Sequence, residues 1–477
     1  MSVNIGVTDF LGILPQVVVS LFGVYLMVQS VLVKNINRKV VAYLGLVGIG
    51  LAIIGNLFLI GQNTTVFNDM IRVDKLTVVL NFMFLATAGF SLLMSISYND
   101  FVEVEFIEFT PLMLFATAGM MFMGAANHLM ILFLGLETMS IALYVMAGYR
   151  RTNRFSLEAS LKYFLLGSFA SGFLLYGIGL LYGVVGSTSL PEVTDYFTKN
   201  SLSVNPVALI GLALILVGFG FKVALVPFHM WTPDVYQGSP MPVTVYMAIG
   251  AKAAGFAAIL RVISQAAYFV SYQWADVLWI LAVLTMTTGN LLALVQDDIK
   301  RMLAYSSIAH AGYLLVGIVA SNEMTIGTVV FYLIAYLFMN LAAFGVAEVV
   351  AGKGERRTRI EYFNGLGYRS PVLGLVMGIS MFALAGFPPT AGFIGKFYLF
   401  SAAMKSGFVW LVIFGVLNSF LSVYYYLRVV VAMYMRKPVD DEKQQPILSG
   451  VGVVLLFAAV GILMLGILPN TFLGIFQ

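Results

Sequence analysis

The chain has no cysteine, only three histidines, and charged residues at just 10% of its 477 positions. Without cysteine it can form no disulfide, hold no iron–sulfur cluster through thiolates and offer no thiol nucleophile. Histidines at 128, 229 and 310 are too few and too far apart in sequence for a convincing metal cage. No G-x-G-x-x-G opens a helix after a strand and no P-loop is present, so nucleotide chemistry is not visible. The first residues lack the basic region and small-residue cleavage site of a secretory signal, and the first apolar stretch is expected to be a retained helix. The net charge of +4 is dispersed over loops, which gives no patch for nucleic acid.

What is present is apolar. Hydrophobic residues make up 60% of the chain and the mean hydropathy is +0.95, values that exclude an ordinary soluble protein. A membrane crossing needs about 20 mostly apolar residues. On that basis the sequence predicts an all-α polytopic membrane protein of about fourteen spans. They lie near 10–33, 40–61, 76–97, 110–124, 126–148, 157–185, 206–237, 241–263, 275–296, 302–320, 325–351, 371–404, 407–434 and 447–474. Spans 7 and 12 are too long for a simple crossing. They carry Pro227 with Pro233, and the run Gly386–Gly392 with Pro388 and Pro389, so both are expected to be broken helices. Spans 4–8 and 9–13 have matching starts and matching breaks about 161 to 166 residues apart. Five is odd, so the second set would lie inverted relative to the first, a pattern that points to a transport site near the midplane. The expected organisation is an N-terminal three-helix segment (1–109), a first five-helix repeat (110–268), an inverted second repeat (269–435) and a C-terminal helix (436–477).

Loop charges give an orientation. Sixteen basic residues fall on one side: Lys34, Arg38, Lys39, Arg150, Arg151, Arg154, Lys300, Arg301, Lys353, Arg356, Arg357, Arg359, Arg369, Arg436, Lys437 and Lys443. The other side has five, Arg72, Lys75, Lys199, Arg261 and Lys405. Basic loops stay in the cytoplasm, which puts both termini outside. The acids Asp100, Glu103, Glu105 and Glu108 also fall on the inner side but weigh little in this rule.

Glu137, Lys222, Lys252 and Lys396 sit inside long apolar segments. A charge at mid-bilayer costs roughly 2.5–3.5 kcal/mol on insertion scales, so it persists where it faces protein or water and has a task. A buried amine beside a movable carboxylate switches between holding and releasing a proton, which makes these residues candidates for a proton relay. Lys222 is the expected partner of Glu137; the plainer reading of that pair is a structural salt bridge. Lys252 lies among small residues, and Lys396 follows the second break. Lys162 and Glu158 are secondary relay candidates, with interfacial snorkelling and a solvated helix-start acid as the plainer readings. His229, beside the break in span 7, and His310, in span 10, are candidates of the same rank, against hydrogen-bonded structural roles.

At these positions the chain resembles a known family. FGFKVALVPFHMWTPD at 219–234, LAYSSIAH at 303–310 and FPPTAGFIGKF at 387–397 look like signatures of the antiporter-like subunits of respiratory complex I. That superfamily also includes subunits of multisubunit Na⁺/H⁺ antiporters and membrane hydrogenases. Arg72-Val73-Asp74, SLEASLKY at 156–163 and Lys rather than Glu at 396 are most similar to its subunit N branch. The resemblance implies an acid–base pair Glu137/Lys222, a central relay amine Lys252 and an exit-side Lys396. It implies no cofactor in this chain, with NAD, FMN, iron–sulfur clusters and quinone in partner subunits. It further implies neighbours in a membrane arm, namely a second antiporter-like subunit and small helical subunits. The expected setting is the lipid bilayer of a bacterial inner membrane, with no nucleic acid. The expected function is proton translocation from cytoplasm to periplasm, driven by NADH:quinone oxidoreduction elsewhere. The rival readings are a subunit of a cation/proton antiporter and a purely structural membrane-arm subunit.

Overall fold

The computed structural model describes residues 6–33, 36–102, 107–200, 204–439 and 449–474. Lys34, Glu103, Glu105 and Lys443, used above for orientation, lie outside them. Among the described residues, twelve helices are long and apolar enough to cross a membrane, and Phe109–Ala125 and Pro371–Ala385 are shorter apolar helices. Most are apolar all round, as helices immersed in lipid or in protein must be. Side-chain caps mark several starts: Asn37 accepts from Lys39 N, Asn153 from Phe155 N and Ser156 N, and Asp298 from Arg301 N.

The chain divides into two compact units. The first comprises residues 1–92, 105–223 and 238–274, the second 93–104, 224–237 and 275–477. In the first, helices approach closely at glycines. A Cβ on Gly119 would lie 2.6 Å from Gly135 O, and one on Gly177 would lie 2.6 Å from Gly211 O. These contacts lock Phe109–Ala125 against Leu129–Ala147, and Arg154–Val185 against Pro206–Val223. In the second unit a Cβ on Gly289 would meet Ala309 N at 2.5 Å, which fixes Ala275–Leu294 against Ile299–Ala320 in the same way.

Among the described residues, the structure adds one short strand pair to the all-α reading. Thr64–Val66 and Ile71–Val73 pair antiparallel as a short hairpin. Its turn carries three non-glycine residues at positive φ, Phe67, Asn68 and Asp69, and the segment is too short for hydropathy to register. The hairpin also settles the cramped junction after Phe109–Ala125. Asn127 N donates to Met70 O, and the Asn127 side chain donates to Asp69 O at 2.7 Å, so the chain is pinned there before Leu129–Ala147 starts.

Span 7 is interrupted as expected: Pro206–Val223 is followed by Thr232–Gly238, with irregular backbone between them. The span-12 region is likewise two helices, Pro371–Ala385 and Ala391–Lys405. A third irregularity has no signal in the sequence. The helix Met241–Tyr246 widens into a π turn at Met247–Ala251 before continuing as Lys252–Gln273. Two cations counted with the loops prove to be buried. Arg261 is held bidentately by Asp74 at 2.6 and 2.7 Å and also bonds Thr77 and Gly124 O. Lys300 pairs with Glu355 at 2.9 Å.

Candidate functional site

In the first unit, Lys222 occupies the last turn of Pro206–Val223, immediately before the break, and is 4% exposed. Its amine donates to Ser140 Oγ at 2.8 Å and to Tyr163 OH at 3.1 Å. It also stands 5.2 Å from the centre of the Tyr163 ring and 5.9 Å from that of Tyr144, distances at which an aromatic face attracts a cation. The two rings pack edge to face at 4.8 Å. Gly167 makes room for Tyr144, since a Cβ there would overlap the phenol oxygen.

Glu137 lies one turn before Ser140 on Leu129–Ala147. Ser171, on Arg154–Val185, donates a short hydrogen bond to its carboxylate. Among the described residues no hydrogen bond or ion pair joins Glu137 to Lys222, and Ser140 and Tyr163 take the amine's bonds. The sequence predicts Glu137 as the partner of Lys222. The cross-helix register instead puts hydroxyls at the amine, and hydroxyls can both donate and accept.

Lys252 is 3% exposed and sits where the π turn rejoins the α-helix. One turn on, Gly255 faces Lys222: a Cβ at 255 would lie 3.7 Å from the Lys222 Cβ and Cγ and 2.5 Å from Val223. The small residues around Lys252 thus bring its helix hard against the one that carries Lys222.

In the second unit, Lys396 is 4% exposed on Ala391–Lys405. Its amine donates to Leu384 O at 3.1 Å, Ala385 O at 3.0 Å and Ser419 Oγ at 2.9 Å, and stands 4.7 Å from the centre of the Tyr313 ring. The two carbonyls belong to the end of Pro371–Ala385. A helix end leaves four carbonyls without partners. Here Gly386 N and Phe387 N satisfy Phe382 O and Ala383 O, and Lys396 takes the remaining two. Gly386 is required for this closure. Its φ is +91°, and a Cβ there would lie 3.1 Å from Lys396 Cδ.

His310 is buried in the same unit. One ring nitrogen contacts Tyr332 OH at 2.6 Å, the other Tyr426 OH at 3.0 Å, and Tyr426 in turn bonds Ser306. A second polar string runs from Asn290 to Tyr313 OH, Tyr425 OH and Asn418. The Tyr313 ring in this string faces Lys396. The structure therefore brings tyrosine hydroxyls to His310 and a tyrosine ring to Lys396, neither of which a sequence motif singles out. Only their frequency in spans 10, 11 and 13 hints at them.

His229 lies half-buried in the break after Lys222, and its Nδ1 is buried without a hydrogen-bond partner among the described residues. Glu158 and Lys162 form a surface pair at 2.6 Å, with side chains 53% and 41% exposed, while Tyr163 next to them turns inward to Lys222. Outside the spans, Asp74 anchors Arg261. Burial pushes its carboxyl up, but the hydrogen bonds and charge of Arg261, with bonds from Thr77, outweigh this and hold it below the usual carboxylate range.

Residues 126–422 match the family model described as NADH:quinone oxidoreductase/Mrp antiporter, TM. The chain is 48% identical to NADH-quinone oxidoreductase subunit N of Trichlorobacter lovleyi, over 98% of this chain and 96% of that protein. It is 42% identical to subunit N 2 of Roseiflexus castenholzii, over 95% and 92%. Among solved structures it superposes on a chain of respiratory complex I from Thermus thermophilus with a TM-score of 0.83 and 34% identity, covering 96% of this chain and 98% of that one. It also superposes on a chain of the Mrp complex from Dietzia with a TM-score of 0.85. At 18% identity over 98% and 96% of the two chains, that match is a likeness of fold alone.

Proposed function

Because the chain belongs to the NADH:quinone oxidoreductase/Mrp antiporter family, and within it to the subunit N branch, we propose that it is an antiporter-like, proton-translocating membrane subunit of a bacterial NADH:quinone oxidoreductase. It carries no redox centre of its own. NAD, FMN, iron–sulfur clusters and quinone belong to other subunits, and its neighbours are a second antiporter-like subunit and small helical subunits of the membrane arm. The fold comprises fourteen crossings, with spans 4–8 and 9–13 as inverted repeats. The segments are 1–109, 110–268, 269–435 and 436–477, and both termini are periplasmic.

The relay residues are Glu137, Lys222, Lys252 and Lys396, with His310 and His229 as auxiliary proton carriers. The observation that carries this reading is Lys222. It is a buried amine at the end of a broken helix, held by two hydroxyls rather than locked to a carboxylate. An amine fixed in a direct ion pair is stabilised in one state. An amine on hydroxyls, with Glu137 acting at a distance, responds when that carboxylate is neutralised or moved. Redox chemistry elsewhere in the complex then needs only to bias this local charge to load or discharge the amine. Broken helices, which expose backbone carbonyls and admit water, supply the hydrated path.

The test is proton pumping measured against quinone reduction in reconstituted complex carrying Glu137→Gln. Gln keeps the shape and the Ser171 contact but not the charge. The reading expects quinone reduction with pumping severely reduced. Wild-type pumping per electron in this variant would leave the subunit with a structural role.

A further inference from the structure

We propose that Glu348 is a further proton-binding acid of the second unit, taking a proton from water at the 352–359 turn and passing it inward toward His310. The inference rests on the proton-translocating reading above. Glu348 lies near the end of Thr325–Ala351, one turn before the loop that begins at Gly352. It is 6% exposed, and both carboxylate oxygens are buried with no hydrogen-bond partner among the described residues. A buried acceptor without a partner costs about 1–3 kcal/mol, and more if charged, so a carboxylate kept here for shape alone is poorly explained. A bound proton removes the charged part of that penalty, and a water that delivers one supplies a partner.

The surroundings suit this role. The nearby Glu355 acts on Glu348 through its charge and is itself bonded to the buried Lys300 at 2.9 Å, so that amine is already engaged. Arg301, the next cation on Ile299–Ala320, is bonded to Asp234 and Gln237. Of the other helices packed on Thr325–Ala351, Pro371–Ala385 and Ser449–Ile467 contain no ionisable residue. Ala391–Lys405 brings Lys396, which is tied to Leu384, Ala385 and Ser419, together with Tyr398 and Lys405. Lys405 and Glu323 share a hollow at the opposite end of the helix. The turn after Glu348 adds the cations Lys353, Arg356 and Arg357, of which Lys353 and Arg356 are exposed.

Inward from Glu348 the groups are hydroxyls. Tyr236 packs edge to face on Phe344, one turn from Glu348, and its OH is 3.4 Å from Ser307 Oγ. Tyr336 also stands beside Ser307, and its ring lies 5.2 Å from the His310 ring. The transfer is of a proton alone: an O–H bond of a hydronium at the turn breaks, leaving water, as one forms on a Glu348 oxygen, and that bond breaks as a water or hydroxyl oxygen inward of Glu348 takes the proton; no electron moves.

The experiment uses the complete reconstituted complex with Glu348→Gln and Glu348→Asp. Gln is isosteric with the protonated acid, so assembly and quinone reduction should survive it. Proton pumping should slow roughly 10²-fold in the Gln variant and recover largely in the Asp variant, as for loss of a proton-transferring side chain. Redox-induced infrared difference spectra should show a carboxylic acid C=O band in the wild type that is absent in Glu348→Gln. An unchanged spectrum, or unchanged pumping, overturns the proposal. Lys222→Ala measured in parallel separates the two readings. Pumping lost there but intact in Glu348→Gln rejects Glu348 alone, whereas pumping intact in both also rejects the parent reading.

Discussion

Each unit places a buried lysine at a broken helix, yet the two lysines are held in opposite ways. Lys222 precedes its break and reaches sideways to Ser140 and Tyr163, side chains of two other helices. Lys396 follows its break and reaches back to Leu384 O and Ala385 O, where it completes the cap of the half-helix before it. The first amine therefore has partners that can rotate. The second is bonded to fixed main-chain dipoles at a helix C-terminus, which favour its positive charge. A lysine beside a proline break is thus not one device. In the first unit its loss removes a chargeable group, and in the second it also opens the backbone.

The largest effect that would test this contrast is functional. Lys222→Ala should nearly abolish redox-driven pumping while the complex still assembles and melts close to the wild type, because Ser140 and Tyr163 can bond water or each other. A large fall in melting temperature with this variant would erase the distinction between the two lysines.

Removing a purely structural ion pair sets the scale for stability in the first unit. Arg261→Leu leaves the Asp74 carboxylate without its main partner and should cost roughly 3–5 kcal/mol. The contribution of Asp74 has a definite pH sign. Its carboxyl is held below the usual range, so its stabilisation is complete above about pH 4, the ordinary carboxylate value, and is lost as pH falls through the still lower folded value. Thermal melts of wild type and Asp74→Asn should differ by a constant amount between neutral pH and pH 5 and converge only in stronger acid. Convergence near neutrality would contradict this assignment.

In the second unit, Lys396→Ala should cost roughly 2–3 kcal/mol, since two buried carbonyls lose a charged donor. Lys396→Arg should restore part of that stability, because a guanidinium can still donate, but not proton release, because it holds its proton. Melting temperature and pumping measured on the same two variants sharpen the comparison with Lys222→Ala. Equal losses of stability for Lys222→Ala and Lys396→Ala would remove it.

The smallest effect is expected at Lys162. Its pair with Glu158 is exposed, and such pairs contribute about 0–1 kcal/mol. Lys162→Ala should leave melting unchanged and pumping near the wild type. A strong pumping defect would restore Lys162 to the relay and widen the site around Lys222 to the surface of its unit.

Much of the fold is legible in the amino-acid sequence. Hydropathy is a local property, so the apolar helices can be read directly. Proline's missing N–H and fixed φ locate both interruptions. The energetic cost of charge in lipid singles out Glu137, Lys222, Lys252 and Lys396 by their position within apolar runs. The hairpin at Thr64–Val66 and Ile71–Val73 escapes such a reading because three-residue strands carry no periodicity. The π turn before Lys252 escapes it because one extra residue in a helical turn leaves no mark in an apolar sequence.

The sequence alone specifies which residues are buried against their chemistry. Which atoms they meet is set by the packing of the helices. Ser140 lies three residues from Glu137, but only the close approach of helices at glycines such as Gly119, Gly135, Gly177 and Gly211 sets the register that puts its hydroxyl, and not the carboxylate, on Lys222. Lys396 and Ala385 are eleven residues apart, and only the fold of the intervening break lets the amine close on that carbonyl. Glu348 reads in sequence as one more acid near a basic loop, and only the packing around Thr325–Ala351 makes it a buried acid with no hydrogen-bond partner among the described residues. Hydrogen bonds act over about 3 Å, and between helices that distance is fixed by packing, which no single segment encodes.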